Sequence, residues 1–404
     1  MPVASPLHSR TFPLCTSLNY RDWAGYYAVS AYETHHEHEY NAIRNGAALI
    51  DISPLFKYIL RGADATRLVD RIITRNAQKM KLGQVYYTPW CDERGMVLDD
   101  GTVTRLEANA YRWTAAEPNL RWIRENARGF DVEIEDASER IAAMALQGPT
   151  SGALLLRAAE ADIASLKYFR MTEGRIQGIP VEISRTGYTG DLGFEIWVAA
   201  DQASAVWDVL MKEGRAFGVK PTGMLALDVS RIEAGLLLID VDFFSARKAQ
   251  IASQLYTPYE MSLDRLVDLA KESFIGRAAL AQAAKRGPAR RIVGLEFDWP
   301  EVERIYEHVG LPPMTTATAS RVAVPVYSGG RQVGRATSTT WSPILKRMIA
   351  LATLDASMSA PGTHVDVEHT VDAVRHRVGA TVTPTPFYNP PQKTGPLGTA
   401  QGKS

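Results

Sequence analysis

Ser184-Arg-Thr-Gly-Tyr-Thr-Gly-Asp-Leu-Gly-Phe-Glu-Ile196 is the stretch from which the rest of this 404-residue chain is best read. Gly187, Gly190 and Gly193 recur every third residue, which lets a backbone take positive φ and come close to a ligand. Tyr188 adds a flat face, and Glu195 adds a carboxylate able to accept two parallel N–H bonds. Taken alone, the spacing favours a glycine-rich hairpin whose tyrosine packs and whose glutamate is solvated. The rest of the chain decides between the two readings.

Working outward, strands at 180–184 and 194–198 flank this loop, and the helix Gln202–Glu213 that follows is expected to turn Ala205, Val206, Val209 and Leu210 inward. Upstream lie a strand at 141–147 and a helix near 150–159. An earlier run has the same character: strands at 47–53 and 56–60, a helix over 61–75 with Leu68, Ile72 and Ile73 on one stripe, and a strand at 85–89. A turn at 92–95, strands around Val97 and 111–114, and a helix after Pro118 complete it. Interleaved strands and helices predict an α+β body of two plait-like halves. From Arg291 onward, short alternating segments separated by Gly-Gly and Pro-Gly turns predict a small C-terminal antiparallel β-barrel. The expected organisation is an N-terminal arm over 1–40, a body over 41–285, a barrel over 286–385 and a disordered tail over 386–404, where apolar residues are too few to pack.

Composition narrows the function. Acidic and basic residues balance at 45 each, so no global field draws in nucleic acid or an anionic membrane, and an anionic ligand must be held by local groups. Cys15 and Cys91 are far apart and lack CxxC spacing, which argues against a thiolate metal site or a disulfide framework and fits a reducing cytoplasm. The N-terminus has no apolar leader core, and no segment approaches the length of a membrane span. His35, His36 and His38, interspersed with glutamates, read as a polar helix face rather than a metal site.

Two adjacent carboxylates, Asp99 and Asp100, follow the turn at 92–95. Neighbours on a strand point to opposite faces, so only one of them can face a shared cleft. The plainer alternative is that both cap the turn.

The 184–196 stretch closely resembles the signature of the glycine-cleavage T-protein (aminomethyltransferase) family. So do Ile141–Pro149, Gly223–Gly235, Phe274–Leu280 and Gly334–Pro343, in family order, and the resemblance runs from about residue 40 to 385. It implies a body that binds tetrahydrofolate, with the pterin ring held by Tyr188 and Glu195 and with Tyr87 and Tyr168 as further pterin neighbours. It also implies that Asp100 is the acidic group beside the reacting nitrogen. No metal is implied.

The departures from the family pattern bear on the donor. Leu227 stands where the family usually has arginine, Asp51-Ile-Ser-Pro54 replaces Asp-Val-Ser-His, Asp99-Asp100-Gly101 replaces Asp-Asp-Leu, and the segment Ile239–Lys248 is rewritten. These changes speak against a lipoyl carrier protein as partner and for a small methylated substrate. The expectation is a cytoplasmic tetrahydrofolate-dependent demethylase that passes a methyl group from a small N-, O- or S-methyl donor to folate. The alternatives are the aminomethyltransferase of glycine cleavage and a non-catalytic folate-binding protein of the iron–sulfur assembly type. The latter carries a cysteine in its Gly-Cys-Tyr signature, where this chain has Thr186-Gly-Tyr188.

Overall fold

The computed structural model describes residues 1–315 and 318–397. The chain divides into two compact units, one formed by 1–90, 99–230 and 389–404, the other by 91–98 and 231–388.

The first unit is α+β and contains two main sheets. One has seven strands in the order Ala159–Glu160, Met171–Ile176, Ile179–Ser184, Gly193–Ala199, Ile141–Gln147, Ala47–Asp51 and Val219–Pro221. All its neighbours are antiparallel except the last pair. The other has five strands in the order Val85–Cys91, Val97–Glu107, Ala110–Ala115, Phe56–Arg61 and Glu133–Asp136. The two sheets bear out the expected pair of halves. Their inward faces are built from apolar and aromatic residues at strand spacing, such as Phe194, Ile196 and Val198, which pack against Leu154, Val206, Trp207 and Leu210 of two helices. A two-stranded hairpin, Asn19–Trp23 with Tyr26–Ala31, precedes these sheets.

Element bounds follow the periodicity closely. The stripe expected over 61–75 is the helix Ala65–Ile72, and Leu68, Ile72 and the following Ile73 are fully buried. In the helix Ala203–Glu213 the buried face is Ala203, Val206, Trp207 and Leu210, whereas Ala205 is exposed. The larger indole claims the core position one place further along. His36 and Glu39 are buried while His35 and His38 are exposed, so the histidine cluster is not one uniformly polar face. Glu39 accepts from the backbone N–H groups of Tyr32 (2.7 Å) and Gly223 (2.6 Å), holding the start of the helix Met224–Glu233.

The second unit holds a closed six-stranded antiparallel barrel in the order Arg290–Phe297, Arg347–Asp355, Arg331–Ser342, Val324–Ser328, His364–Val371 and Val374–Thr383, the last strand pairing back to the first. Closure leaves no free sheet edge. The unit also takes in 231–285, so the division into compact units falls inside the helix Met224–Glu233.

The expectation of a disordered tail over 386–404 does not hold for 386–397. Polar and apolar contacts both hold this part: the Arg185 guanidinium donates to three backbone carbonyls between Gln392 and Gly395, and Leu397 packs against the core of the seven-stranded sheet. Residues 398–404 lie outside the described part of the chain. Cys15 and Cys91 are both free and buried, and among the described residues no helix is long and apolar enough to cross a membrane.

Candidate functional site

The signature stretch joins two neighbouring strands of the seven-stranded sheet, with Ser184 paired opposite Glu195. Beneath the loop lies the fully buried side chain of Gln147, on the strand paired with Gly193. Its Nε2 donates to the carbonyls of Thr186 and Phe194, both at 3.2 Å, and its Oε1 accepts from the Thr189 hydroxyl at 2.9 Å. A Cβ at Gly187 or Gly193 would stand 2.0 or 2.1 Å from that Oε1. Of the three signature glycines only Gly190, at φ +76°, uses the left-handed region. Gly187 and Gly193 are glycine because a protein side chain occupies the space, which corrects the reading that all three serve positive φ.

Glu195 is half-buried, and the Thr186 hydroxyl donates to its Oε2 at 2.7 Å. A chain of polar groups stands behind that contact: Trp197 Nε1 donates to Ser184 Oγ at 3.3 Å, and the hydroxyls of Ser184 and Thr186 are 2.8 Å apart. A carboxylate has about four acceptor positions, so the Thr186 bond fixes its orientation without exhausting it. Burial raises the Glu195 proton affinity, opposed by the Thr186 hydroxyl, the charge of Arg112 and the Ser184 hydroxyl. Arg112, on the five-stranded sheet, is buried, pairs with Glu182 and lies 4.1 Å over the Trp197 ring. Sequence reading misses it: nothing near residue 112 marks an arginine that meets the other sheet.

Asp99 and Asp100 separate as strand geometry requires. Asp99 is fully buried, its Oδ2 accepting from Asn119 Nδ2 (2.7 Å) and its Oδ1 from the backbone N–H of Asp100 (2.8 Å). Asp100 is half-buried and accepts at Oδ2 from the Tyr87 hydroxyl at 2.5 Å. Burial pushes Asp100 up to about 6, with the Tyr87 hydroxyl pulling the other way. Asp99 is raised well above its ordinary value by burial first and by the adjacent Asp100 second. Tyr87 is likewise raised by burial, then by Asp100, with Tyr188 and Asp99 adding. Tyr87, Asp100 and Tyr188 thus share one neighbourhood.

Tyr188, also half-buried, packs against an apolar cluster that includes Ile50, Ile52, Trp197 and Leu227. Tyr168 has a different set of neighbours. It meets Phe169 edge-on at 4.7 Å, and the Lys393 ammonium lies 5.8 Å from its ring centre. In the rewritten segment Ile239–Lys248, Asp242 is fully buried and bonded within its own unit to Arg231, Thr337 and Ser338. That acid is structural.

The fold defines an α+β protein with a barrel unit, and its first unit brings Tyr87, Asp100 and Tyr188 into one neighbourhood. Comparison with known proteins makes this specific. Residues 17–271 match the model of the GCVT N-terminal domain, and residues 290–389 match that of the glycine cleavage T-protein C-terminal barrel domain. The chain therefore belongs to the glycine cleavage T-protein family, whose members are folate-dependent transferases that bind tetrahydrofolate. It is 35% identical to an aminomethyltransferase of Moorella thermoacetica, over 88% of this chain and 90% of that one. It is 36% identical to a trimethylamine-oxide aldolase of Ruegeria pomeroyi, over 89% of this chain but only 43% of that protein, so it spans less than half the length of that relative. The crystal structure of aminomethyltransferase T from Bartonella henselae superposes with a TM-score of 0.81 at 24% identity, covering 96% of this chain and 99% of that one. That likeness establishes the fold.

Proposed function

We propose that this protein is a demethylase that transfers a methyl group from a small N-, O- or S-methyl donor to tetrahydrofolate, with Glu195, Tyr188, Tyr87 and Tyr168 binding the folate and Asp100 acting on the reacting centre. One observation carries the reading: the Asp100 carboxylate is met by a tyrosine hydroxyl and, among the described residues, by no cation, while Leu227 is buried in the apolar cluster that packs Tyr188. A cleft with an unneutralised carboxylate and an apolar wall suits a compact methylated donor better than a long lipoyl arm.

The residues fit the cofactor. Glu195 is an oriented acceptor with capacity left for the N–H edge of a pterin, and Tyr188 gives that ring a face. When bound, tetrahydrofolate supplies the nitrogen nucleophile that takes up the one-carbon unit. Asp100, ionised above about 6, would place negative charge beside the carbon as its bond to the donor heteroatom breaks and its bond to the folate nitrogen forms, and would take the proton that nitrogen loses for passage to the departing heteroatom. Tyr87 holds that carboxylate in place. Glu195 and Tyr188 fix the acceptor in line, a positioning effect that can supply a large share of the rate.

The name of the Ruegeria pomeroyi relative, a trimethylamine-oxide aldolase, supports a small methylated substrate. The second reading, an aminomethyltransferase of glycine cleavage, is favoured by the names and full-length match of relatives such as that of Moorella thermoacetica. Incubation with tetrahydrofolate and a panel of N-, O- and S-methyl compounds, with folate products read by mass, separates the two. Methyl transfer from at least one small donor, with no methylene-tetrahydrofolate from aminomethyl-lipoyl carrier, is the expected result. Robust activity with the carrier restores the glycine-cleavage reading.

A further inference from the structure

The barrel strands His364–Val371 and Val374–Thr383 form a hairpin whose two-residue turn, Asp372-Ala373, has both residues at positive φ, +49° and +60°. A two-residue turn of that kind matches the twist of its strands and fixes their register. Valines set the inward face: Val365, Val367 and Val371 on one strand and Val378 and Val382 on the other belong to the core of this unit. Alternation puts His369 and His376 on that same face, and the register sets them directly opposite each other. Two imidazoles thus stand where the pattern of the hairpin calls for two apolar side chains.

The core does not satisfy them. Both residues are half-buried, yet the Nε2 atom of each is shielded from solvent and has no hydrogen-bond partner among the described residues. Tyr306, on the helix Trp299–His308, contributes a ring centred 6.2 Å from that of His369 and tilted by 58° to it. A buried polar atom left without a partner is costly and calls for a water or an ion. Here one facing pair carries two such atoms. Burial, and after it the neighbouring His376, lowers the proton affinity of His369 and favours its neutral ring. A neutral imidazole with its proton on Nδ1 offers a lone pair at Nε2, and in that form histidine binds metals. The Cβ atoms of directly opposed residues lie about 4.5–5.5 Å apart. Two imidazoles at that spacing can reach one ion at the ~2.0–2.1 Å of a zinc–nitrogen bond.

We propose that His369 and His376 form a two-histidine site for a borderline transition-metal cation such as Zn²⁺, which clasps the hairpin beside the helix Trp299–His308. Among the described residues no group of three or more His, Cys, Asp or Glu side chains is placed to hold a metal, so the protein supplies two ligands and water completes the coordination. Imidazole donors select Zn²⁺, Ni²⁺ or Cu²⁺ over Mg²⁺ and Ca²⁺. An ion bound to both strands cross-links them and stabilises the folded hairpin by mass action. The site requires neither folate nor a methyl donor.

Calorimetric titration of the metal-free full chain with Zn²⁺ tests this, with Mg²⁺ as the ion expected not to bind. His369→Gln and His376→Gln should each weaken Zn²⁺ by more than about ten-fold, since even the supporting groups of a metal site act on that scale. His35→Gln combined with His38→Gln, in the other histidine cluster, should leave the affinity unchanged. A measurement on the wild type keeps the test independent of how the variants fold: Zn²⁺ should slow amide hydrogen exchange within 364–383 and leave 33–40 as it was. No Zn²⁺ binding, binding that survives the loss of either His369 or His376, or exchange slowed only around 33–40 would overturn the proposal and leave water as the partner of the two Nε2 atoms.

Discussion

Asp242 in the second unit and Asp100 in the first are both carboxylates drawn out of bulk water, with opposite surroundings. Asp242 receives four donors: Arg231 Nη1 at 2.6 Å and the Leu238 backbone N–H at 2.9 Å on one oxygen, and the Thr337 and Ser338 hydroxyls at 2.7 Å each on the other. Charge and lone pairs are both satisfied, as a buried ion must be if it is to be tolerated. Asp100 has one side-chain donor, Tyr87, and beside it another carboxylate, Asp99, whose own proton affinity Asp100 raises further after burial. The protein can build a complete cage for a buried acid and does so where the acid is structural. Around Asp100 the cage is left short of a cation, and burial raises its carboxyl to about 6.

The contrast predicts effects of different size and sign. The largest is on Asp242: Asp242→Ala strands the buried Arg231 guanidinium and should cost about 3–5 kcal/mol of folding stability in denaturant unfolding. A loss under about 1 kcal/mol would mean the cage is not what holds this part of the second unit. Next is Glu195→Ala, which removes the oriented acceptor of the signature loop and should weaken tetrahydrofolate binding by about 2 kcal/mol without comparable loss of stability. Unchanged affinity would remove Glu195 from the folate site. The smallest effect has the reversed sign. The Asp100 carboxyl is raised from 3.8 to about 6, so its ionised form is disfavoured by the fold, and native stability falls as pH climbs through that window. Asp100→Asn should therefore melt at a higher temperature than wild type above pH 6, with the gap closing below about pH 4. A variant melting lower than wild type at pH 7.5 would contradict the claim that Asp100 is short of compensation.

Much of this was legible in the sequence because the signals are local. Strand alternation separates Asp99 from Asp100, and the thirteen residues 184–196 carry Tyr188, Glu195 and the hydroxyls of Ser184 and Thr186 together. The supports that are distant in sequence were not legible. Gln147 explains two of the three signature glycines, yet nothing near residue 147 says that its side chain lies under that loop. The charge of Arg112 acts on Glu195, and Asn119, just ahead of the helix Leu120–Asn126, donates to Asp99, only because segments distant in sequence meet. The ordering of 389–397 was missed because composition registers overall apolar content, whereas this segment is held by one guanidinium on its own carbonyls, by Gln392 on Asp191 and by a single leucine, Leu397, on the core.

The most direct test is to measure turnover and folate affinity together in Asp100→Asn and Asp99→Asn, using a donor that the wild type accepts. Asp100→Asn is expected to hold folate within a few-fold of wild type while losing about 10²-fold in turnover, the usual scale for removing a positioned acid–base or electrostatic group. Wild-type turnover should rise with pH through about 6 as Asp100 ionises, and Asp99→Asn should change far less. Equal activity of the two variants, or greater sensitivity at Asp99, would contradict the assignment of Asp100 as the carboxylate that acts in the cleft.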